Sequence, residues 1–318
     1  LSTGDTLCLK SQPIVLESIR FPEPVIAATI EPKTKADHSK LAAVLAKLVR
    51  EDPTLKVGQD PMTGQTLLRG MGELHLEIVM DRIDREFGVR ANLGKPQVAY
   101  KETIQAAGEG EGKYVRQAGG KGLYGHCVLR LEPLERGRGF EFSDAVRADV
   151  VPREFLGDIE NGVREGLEAG VVAGFPVTDL RAVLVGGSTD DADASPLAYK
   201  IAATLAFREA ARKAQPVLLE PLMRLEIIAP DAYLGDIVGD LNARRGKVEG
   251  MEMRGGSRVV SGHAPLAEMF GYATALRTLT QGRGVFSMEF ARYERTPAGV
   301  QDDIVARVEG RAPFRGGA

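Results

Sequence analysis

The chain has 318 residues, 43% of them apolar, with 41 Lys and Arg against 44 Asp and Glu for a formal net charge of −3. That composition excludes a disordered chain and gives no general attraction to nucleic acid, so any RNA contact has to come from local patches. Cys8 and Cys127, the only cysteines, are too few for a disulfide framework and suit a reducing compartment; no apolar run approaches the ~18 residues of a membrane span, and the N-terminus lacks a signal-peptide pattern.

The length suggests about two or three domains. Residues 1–20 read as one or two strands with no core of their own. They start without Met and in strand-like sequence, as expected of a piece cut from a longer chain. Residues 21–97 follow the order β-α-β-β-α-β. Strands are expected at 25–31, 55–57, 66–69 and 89–93, with a turn at 60–64. A helix over 37–50 carries Leu41, Leu45, Leu48 and Val49 on one face. A second over 73–87 carries Val79, Ile83 and Phe87 at successive four-residue steps and ends at Gly88.

Residues 98–216 have a different pattern. Strands are expected near 98–104, 112–116 and 125–131, and at 177–185. A helix at 154–169 has Pro152 near its start and Gly170 at its end. A Gly-Gly-Ser turn then leads to a long helix at 196–214, with Ser195 as N-cap and Pro196 as its first residue.

From 217 the order β-α-β-β-α-β returns, the split connectivity of ferredoxin-like domains. Strands are expected at 222–229, 247–253, 258–264 and 285–292. Helices are expected at 233–245, with Leu234, Ile237, Val238 and Leu241 at helical spacing, and at 266–279, with Leu266, Phe270, Ala273 and Leu276. Gly246 and Gly282 stand where helix-ending glycines belong. Past Pro297, the residues Val300, Ile304, Val305 and Val308 make a short amphipathic pattern, and the Arg- and Gly-rich tail 310–318 is expected to be disordered.

Chemistry-bearing motifs are sparse. No G-x-x-x-x-G-K-[ST] occurs, because each Gly-Lys pair is followed by Pro, Tyr, Gly or Val. Residues 120–125 match G-x-G-x-x-G, but strand pattern lies on both sides, whereas a dinucleotide site needs a strand before the loop and a helix after it. A hairpin loop is the better reading. The four histidines show no H-x-x-x-H spacing. No nucleophile–base constellation is visible, and no catalytic, cofactor or metal site is expected in this chain.

Several stretches carry a family resemblance. GDLNARRGKVEGME, PLAEMFGYATALRTLTQGRG and MEF resemble the last core domain of elongation factor G, the ribosomal translocase. F-P-E-P-V, E-P-K-T-K-A-D, L-x-x-E-D-P and R-G-M-G-E-L-H-L-E-I resemble its third domain, and G-G-K-G-L-Y-G-H resembles the glycine-rich loop at the tip of its fourth. The resemblance implies an α+β multidomain fold in which two ferredoxin-like domains, 21–97 and 217–296, flank a ribosomal-protein-S5-like α/β domain. That elongated tip domain would comprise 98–216 and a returning C-terminal helix, 297–309, and residues 1–20 would end a preceding β-barrel. It further implies a cytoplasmic monomer that binds the ribosome (its RNA and proteins, and tRNA–mRNA at the decoding site) and no membrane. GTP hydrolysis, with GTP and Mg²⁺, would belong to a domain absent from these residues.

At the tip, the resemblance makes Arg116 and Lys121 candidates for phosphate contact, Tyr124 for base stacking and His126 for a place near RNA. The second tip loop is Gly187, Ser188, Thr189, Asp190 and Asp191, running on to Ser195. The family usually has a Tyr-His pair where Thr189 and Asp190 stand here. Loss of an imidazole and gain of carboxylates makes a poor RNA surface, unless the backbone shape of the loop matters more than its side chains. In the last domain Arg244, Arg245 and Lys247 are candidates for ribosomal RNA or, structurally, for complementing a helix dipole. Phe270, Tyr272 and Leu276 are core candidates, and Arg277, Thr280 and Arg283 exposed ones. In the third domain Glu73 and His75 are candidates for facing the GTPase domain, with a purely structural His75 as the alternative. Two other functions stay open: a paralogue acting in ribosome recycling or protection, which Thr189-Asp190 would fit, and a stand-alone RNA-binding module.

Overall fold

The structure is a computed structural model. It describes residues 6, 8–9, 11–12, 21, 24–59, 65–94, 97–118, 121–147, 149–190 and 192–308, the side chains of 35, 36, 117, 118 and 121 aside. The expected barrel tail at 1–20 for the most part, the turn at 60–64 and the tail at 310–318 lie outside the described residues.

In chain order the elements begin β1 (Ile26–Pro32), α1 (Lys35–Glu51), β2 (Lys56–Gln59), β3 (Thr66–Gly70), α2 (Glu73–Phe87), β4 (Ala91–Leu93) and β5 (Gln97–Val98). They continue β6 (Lys101–Ile104), β7 (Gly108–Ala118), β8 (Lys121–Pro133), β9 (Phe140–Asp144), α3 (Leu156–Ala169), β10 (Leu180–Ser188) and α4 (Pro196–Lys213). The last are β11 (Pro216–Ala229), α5 (Leu234–Ala243), β12 (Lys247–Arg254), β13 (Ser257–Pro265), α6 (Tyr272–Leu279), β14 (Val285–Arg295) and α7 (Ala298–Val308). The fold is α+β and multidomain with several antiparallel sheets. The chain forms two compact units, one of residues 1–99 and 221–292, the other of 100–220 and 293–318.

The first unit holds both β-α-β-β-α-β runs. One sheet has the strand order β2-β3-β1-β4 and the other β12-β13-β11-β14, so the same connectivity gives the same order twice. The helical stripes read from the sequence are the buried ones: Leu41, Leu45 and Leu48 in α1, Val79 and Ile83 in α2, Ile237 and Leu241 in α5. Thr34 caps α1 by accepting from the Asp37 N–H at 3.3 Å, and Gly88 ends α2 in the left-handed region at φ 62°.

Three local expectations in this unit are corrected. The helix expected over 266–279 is broken: a single 3₁₀ turn at 266–268 precedes α6, with Gly271 left-handed between them at φ 71°. The break shifts the phase, so Tyr272 and Leu276 are buried while Ala273 is exposed. Second, the left-handed residue that ends α5 is Arg245 (φ 59°), one before Gly246, while α6 ends in two left-handed residues, Gln281 (φ 52°) and the expected Gly282 (φ 77°). Gly246 and Gly282 both donate back, to Leu241 O and Arg277 O, each at 2.7 Å, closing a Schellman-type end. Third, the strand expected over 98–104 is two: β5 pairs with β1, while β6 pairs with residues 216–219 of β11 in the second unit.

In the second unit the sheet runs β7-β8-β10-β9, antiparallel except for the parallel pair β9–β10. Strand β9, whose Phe140-Glu141-Phe142 run is short, is not expected from the sequence. Helices α3 and α4 cover one face. Alternation along β7 points Gly108, Gly110 and Gly112 at α4, whose matching residues Ala202, Ala206, Ala210 and Ala214 recur every fourth position and are fully buried. A Cβ built on Gly108 would lie 2.3 Å from Ala210 O, one on Gly110 2.3 Å from Ala206 O, and one on Gly112 1.9 Å from Ala202 O. Gly125 of β8 is closed off in the same way, 2.3 Å from the Ala198 carbonyl carbon. Backbone therefore rests nearly on backbone along the helix. Helix α3 seats on α4 through Gly162 and Gly166, where added Cβ atoms would meet Lys200 O at 2.2 Å and Phe207 Cδ1 at 2.5 Å.

Glu102 fixes the loop after α3. Its carboxylate, fully buried, accepts from the N–H groups of Val171 (2.5 Å), Val172 (2.8 Å), Ala173 (2.8 Å) and Phe175 (3.0 Å). Four donors converging on one carboxylate compensate its desolvation. Helix α7 lies in this unit too: the Leu218 N–H donates to Gln301 Oε1 at 2.9 Å, and Ile304 is buried.

The glycine seat and the carboxylate nest can each be tested by stability. Gly112→Ala should lower unfolding stability by about 3 kcal/mol through overpacking, measured by urea denaturation. Gly58→Ala, where an added methyl meets nothing within 4 Å, should leave stability unchanged or raise it by up to about 1 kcal/mol. Glu102→Gln, which turns an amide NH₂ towards N–H donors, should cost about 3 kcal/mol in the same measurement; an unchanged midpoint would show the nest to be dispensable.

Candidate functional site at the β7–β8 tip

Strand parity that sends the glycines of β7 to α4 sends Glu111 and Lys113 to the other face, and there they meet Tyr124 and His126 of β8 across the ladder. Residues 122–125, expected as a hairpin loop, are part of strand β8. The end of β10 comes alongside, with Ser188 opposite His126. Gly187 is required here by space, since a Cβ would lie 2.5 Å from His126 O and 2.7 Å from Val151 Cγ2.

A connected polar cluster results. Tyr124 Oη is 2.6 Å from Ser188 Oγ, His126 Nδ1 is 2.7 Å from the same oxygen, and His126 Nε2 is 2.9 Å from Glu111 Oε1. The Tyr199 hydroxyl of α4 donates to Ser188 O at 3.0 Å. Lys113 Nζ stands 5.6 Å from the centre of the Tyr124 ring. Burial pushes the Tyr199 phenol up, opposed by the nearby Thr189 hydroxyl, which is buried beside it without hydrogen-bond alignment. Ser, His and carboxylate in a row have the composition of a nucleophile relay. Here the Ser oxygen is occupied from two sides and its carbonyl from a third, an arrangement that holds a loop. Cys127 next door is a spectator: burial pushes its thiol up to about 12.

The acidic loop that follows is folded by its own carboxylates. Asp190 Oδ1 accepts from the Ala192 N–H at 3.0 Å, and Asp190 O accepts from the N–H groups of Asp193 (3.2 Å) and Ala194 (2.8 Å). Asp193 Oδ1 accepts from the Gly122 N–H at 3.1 Å, and its backbone carbonyl from Tyr124 N at 2.6 Å. Ser195, as expected, caps α4 by accepting from Ala198 N at 3.3 Å. So Asp190 and Asp193 both serve backbone donors, although Asp190 stays exposed. Arg116 is exposed on β7, while the Lys121 side chain and Asp191 lie outside the described residues. Sequence reasoning misses Glu111 and Tyr199, and reads Asp193 only as part of the loop's negative charge. The G-E-G-E-G alternation is the signal for Glu111, since it assigns glycine and glutamate to opposite faces.

The other candidates are dispersed. Arg244 of the α5 end donates to Asp240 Oδ2 (2.9 Å) and Glu268 O (2.6 Å) and covers the Tyr272 ring at 5.2 Å. Arg245 lies 3.6 Å from Glu268 Oε1. Both therefore brace α5 against the turn at 266–268. Tyr272 is fully buried, and burial, with Asp240 adding to it, pushes its phenol up against the pull of Arg244. Lys247, Arg277 and Arg283 are exposed. Thr280, expected outside, is fully buried; its hydroxyl donates to Leu276 O at 2.7 Å and accepts from Gly284 N at 2.8 Å. His263 Nδ1 is 2.9 Å from Glu249 Oε1 but out of hydrogen-bond alignment.

Glu73 is exposed in the first turn of α2. His75 faces inward instead. Its Nδ1 accepts from the Met71 N–H at 3.1 Å and its Nε2 is 3.1 Å from Asp52 Oδ2, joining the β3–α2 corner to the end of α1.

Known proteins place this architecture. Three family models match consecutive pieces of the chain: Elongation Factor G, domain III, over residues 21–95; Elongation factor G, domain IV, over 96–215; and Elongation factor G C-terminus over 217–304. A crystal structure of a Thermus thermophilus protein is similar at 40% identity and a TM-score of 0.72, covering 95% of this chain and 46% of its own. The fold is that of a translation elongation factor's multidomain α+β portion. The chain belongs to the elongation factor G family, and it spans about half the length of that Thermus relative.

The Asp52–His75 pair sets an acid dependence. Burial pushes the Asp52 carboxyl up, but hydrogen bonds from Thr54, with the charge of His75 and its hydrogen bond, outweigh it and leave the group below its ordinary value. A carboxylate depressed in the folded state stabilises above its unfolded pKa, and that contribution is lost as pH falls through the folded pKa. Asp52→Asn should therefore destabilise at pH 7 and converge with wild type as pH falls below the ordinary carboxylate range. Thermal melting across pH checks this, and parallel curves at all pH values would refute it.

Proposed function

We propose that this chain is the ribosome-binding C-terminal portion of an elongation factor G-type translation factor that promotes tRNA–mRNA translocation. Three domains share the work, 21–97, 98–216 with 297–309, and 217–296. GTP hydrolysis, with GTP and Mg²⁺, takes place in a domain outside this chain and reaches the tip through 21–97. The tip's task is differential binding to two ribosome states, since only an interaction that differs between states can shift their balance.

The observation that supports translocation despite Thr189-Asp190 is the closed tip loop. Asp190 and Asp193 direct carboxylate oxygens to the Ala192 and Gly122 N–H groups. The described residues of the loop on either side of 191 thus hold their backbone bonds without an imidazole at 190. A second reading, a paralogue in ribosome recycling or protection, is favoured by the exposed Asp190 itself, whose charge repels RNA phosphates.

A toeprint assay with the whole factor and GTP on pre-translocation ribosomes separates the two. Translocation predicts movement by one codon, with Asp190→His changing the rate by less than about threefold, under 1 kcal/mol of barrier. Ribosome-stimulated GTP hydrolysis without movement would reject translocation and favour the paralogue.

A further inference from the structure

We propose, resting on the ribosome reading above, that His126 is the positioning residue of the tip, and that the atom it uses is the acceptor nitrogen Nδ1 rather than its charge or ring face. The hydrogen-bond directions lead there. Ionised Glu111 only accepts, so His126 Nε2, 2.9 Å from Glu111 Oε1, carries the proton. In the neutral ring Nδ1 is then the acceptor, and the Ser188 hydroxyl at 2.7 Å donates to it. The Ser188 oxygen in turn accepts from Tyr124 Oη at 2.6 Å. A one-way chain runs Tyr124 to Ser188 to His126 to Glu111, in which every hydrogen has one place to go.

Ser188 is the last residue of β10, immediately before Thr189-Asp190. Its hydroxyl is held by the chain and its carbonyl by the Tyr199 hydroxyl at 3.0 Å. The hydroxyl and the carbonyl of the residue at the mouth of the loop are thus both fixed, one from the sheet and one from α4. The far end is anchored as well, since the Glu111 N–H donates to Glu209 Oε2 of α4 at 3.1 Å. Tyr124, His126 and Ser188 therefore direct their polar atoms at one another, and the tip meets the ribosome through the backbone shape this clamp imposes on 188–190 and 192–194.

The test uses the 318-residue chain. Long-range ¹H–¹⁵N spectra read the His126 tautomer, amide exchange at Ala192 and Ala194 reads the loop, and titration with vacant ribosomes reads docking. The expected result is an Nε2–H tautomer. His126→Ala should speed exchange at both amides and weaken docking by about tenfold each, with a melting midpoint within about 3 °C of wild type. His126→Asn, which keeps an acceptor near the Nδ1 position, should restore both; His126→Gln, which reaches Glu111 alone, should restore neither. An Nδ1–H tautomer, unchanged loop exchange in His126→Ala, or rescue by Gln as good as by Asn would overturn the proposal. Absence of docking by the wild-type chain would instead sink the ribosome reading, while tautomer and exchange still decide the clamp.

Discussion

The tip depends on a contact made without side chains. Along β7 and β8, four glycines bring the sheet so close to α4 that a single added carbon would sit 1.9–2.3 Å from helix backbone atoms. The helix answers with Ala198, Ala202, Ala206, Ala210 and Ala214, all fully buried. The two repeats match because two strand residues advance about 6.7 Å and four helix residues about 6 Å. Such a seat has no flexible side chain to absorb a shift. It fixes where α4 begins, and α4 begins at Pro196, just past its cap Ser195 at the end of the acidic loop. The geometry of the tip is thus set by a packing stripe that carries no chemistry of its own.

On that rigid seat the polar groups have defined duties. Buried or half-buried acceptors here are each matched to backbone donors: Glu102 to four N–H groups, Asp179 to those of Gly137 and Gly139 at 3.0 Å each, Asp193 to that of Gly122. A carboxylate oriented by fixed N–H dipoles loses much of its reach toward an outside phosphate. This alters the meaning of the acidic run at 190–193. Counted as charges it opposes RNA; placed in the structure, Asp190 and Asp193 also serve as acceptors for backbone N–H groups, with Asp190 still exposed.

Much of the fold is legible in the sequence, and the misses have physical causes. Helical stripes such as Leu41, Leu45 and Leu48 stand out because burial on one face imposes the period. The break between 266–268 and α6 is hidden because Leu266, Phe270 and Leu276 keep a plausible helical spacing across a left-handed Gly271. Thr280 looks like a surface residue; its burial depends on a hydroxyl that closes the end of α6 by bonding Leu276 O and Gly284 N. Arg244 and Arg245 read as a basic cluster because spacing shows charge and not partners; Asp240, four residues away, is the local hint. For the site, Tyr124, His126 and Ser188 are marked through resemblance, as outward contacts. Their convergence requires the register of three strands, and Glu111, their anchor, draws no notice as one exposed glutamate among many.

That convergence fixes the loop from below its apex. The loop's mouth is fixed by Ser188 and its exit by the Ser195 cap, and among the described residues between them Asp190 and Asp193 supply further bonds to backbone donors. Each such bond lowers the conformational entropy that ordering the loop has to remove. Side-chain identity at 189 and 190 then matters for charge and fit at the apex, while the path of the backbone is decided below it, by the clamp at His126 and the glycine seat beneath.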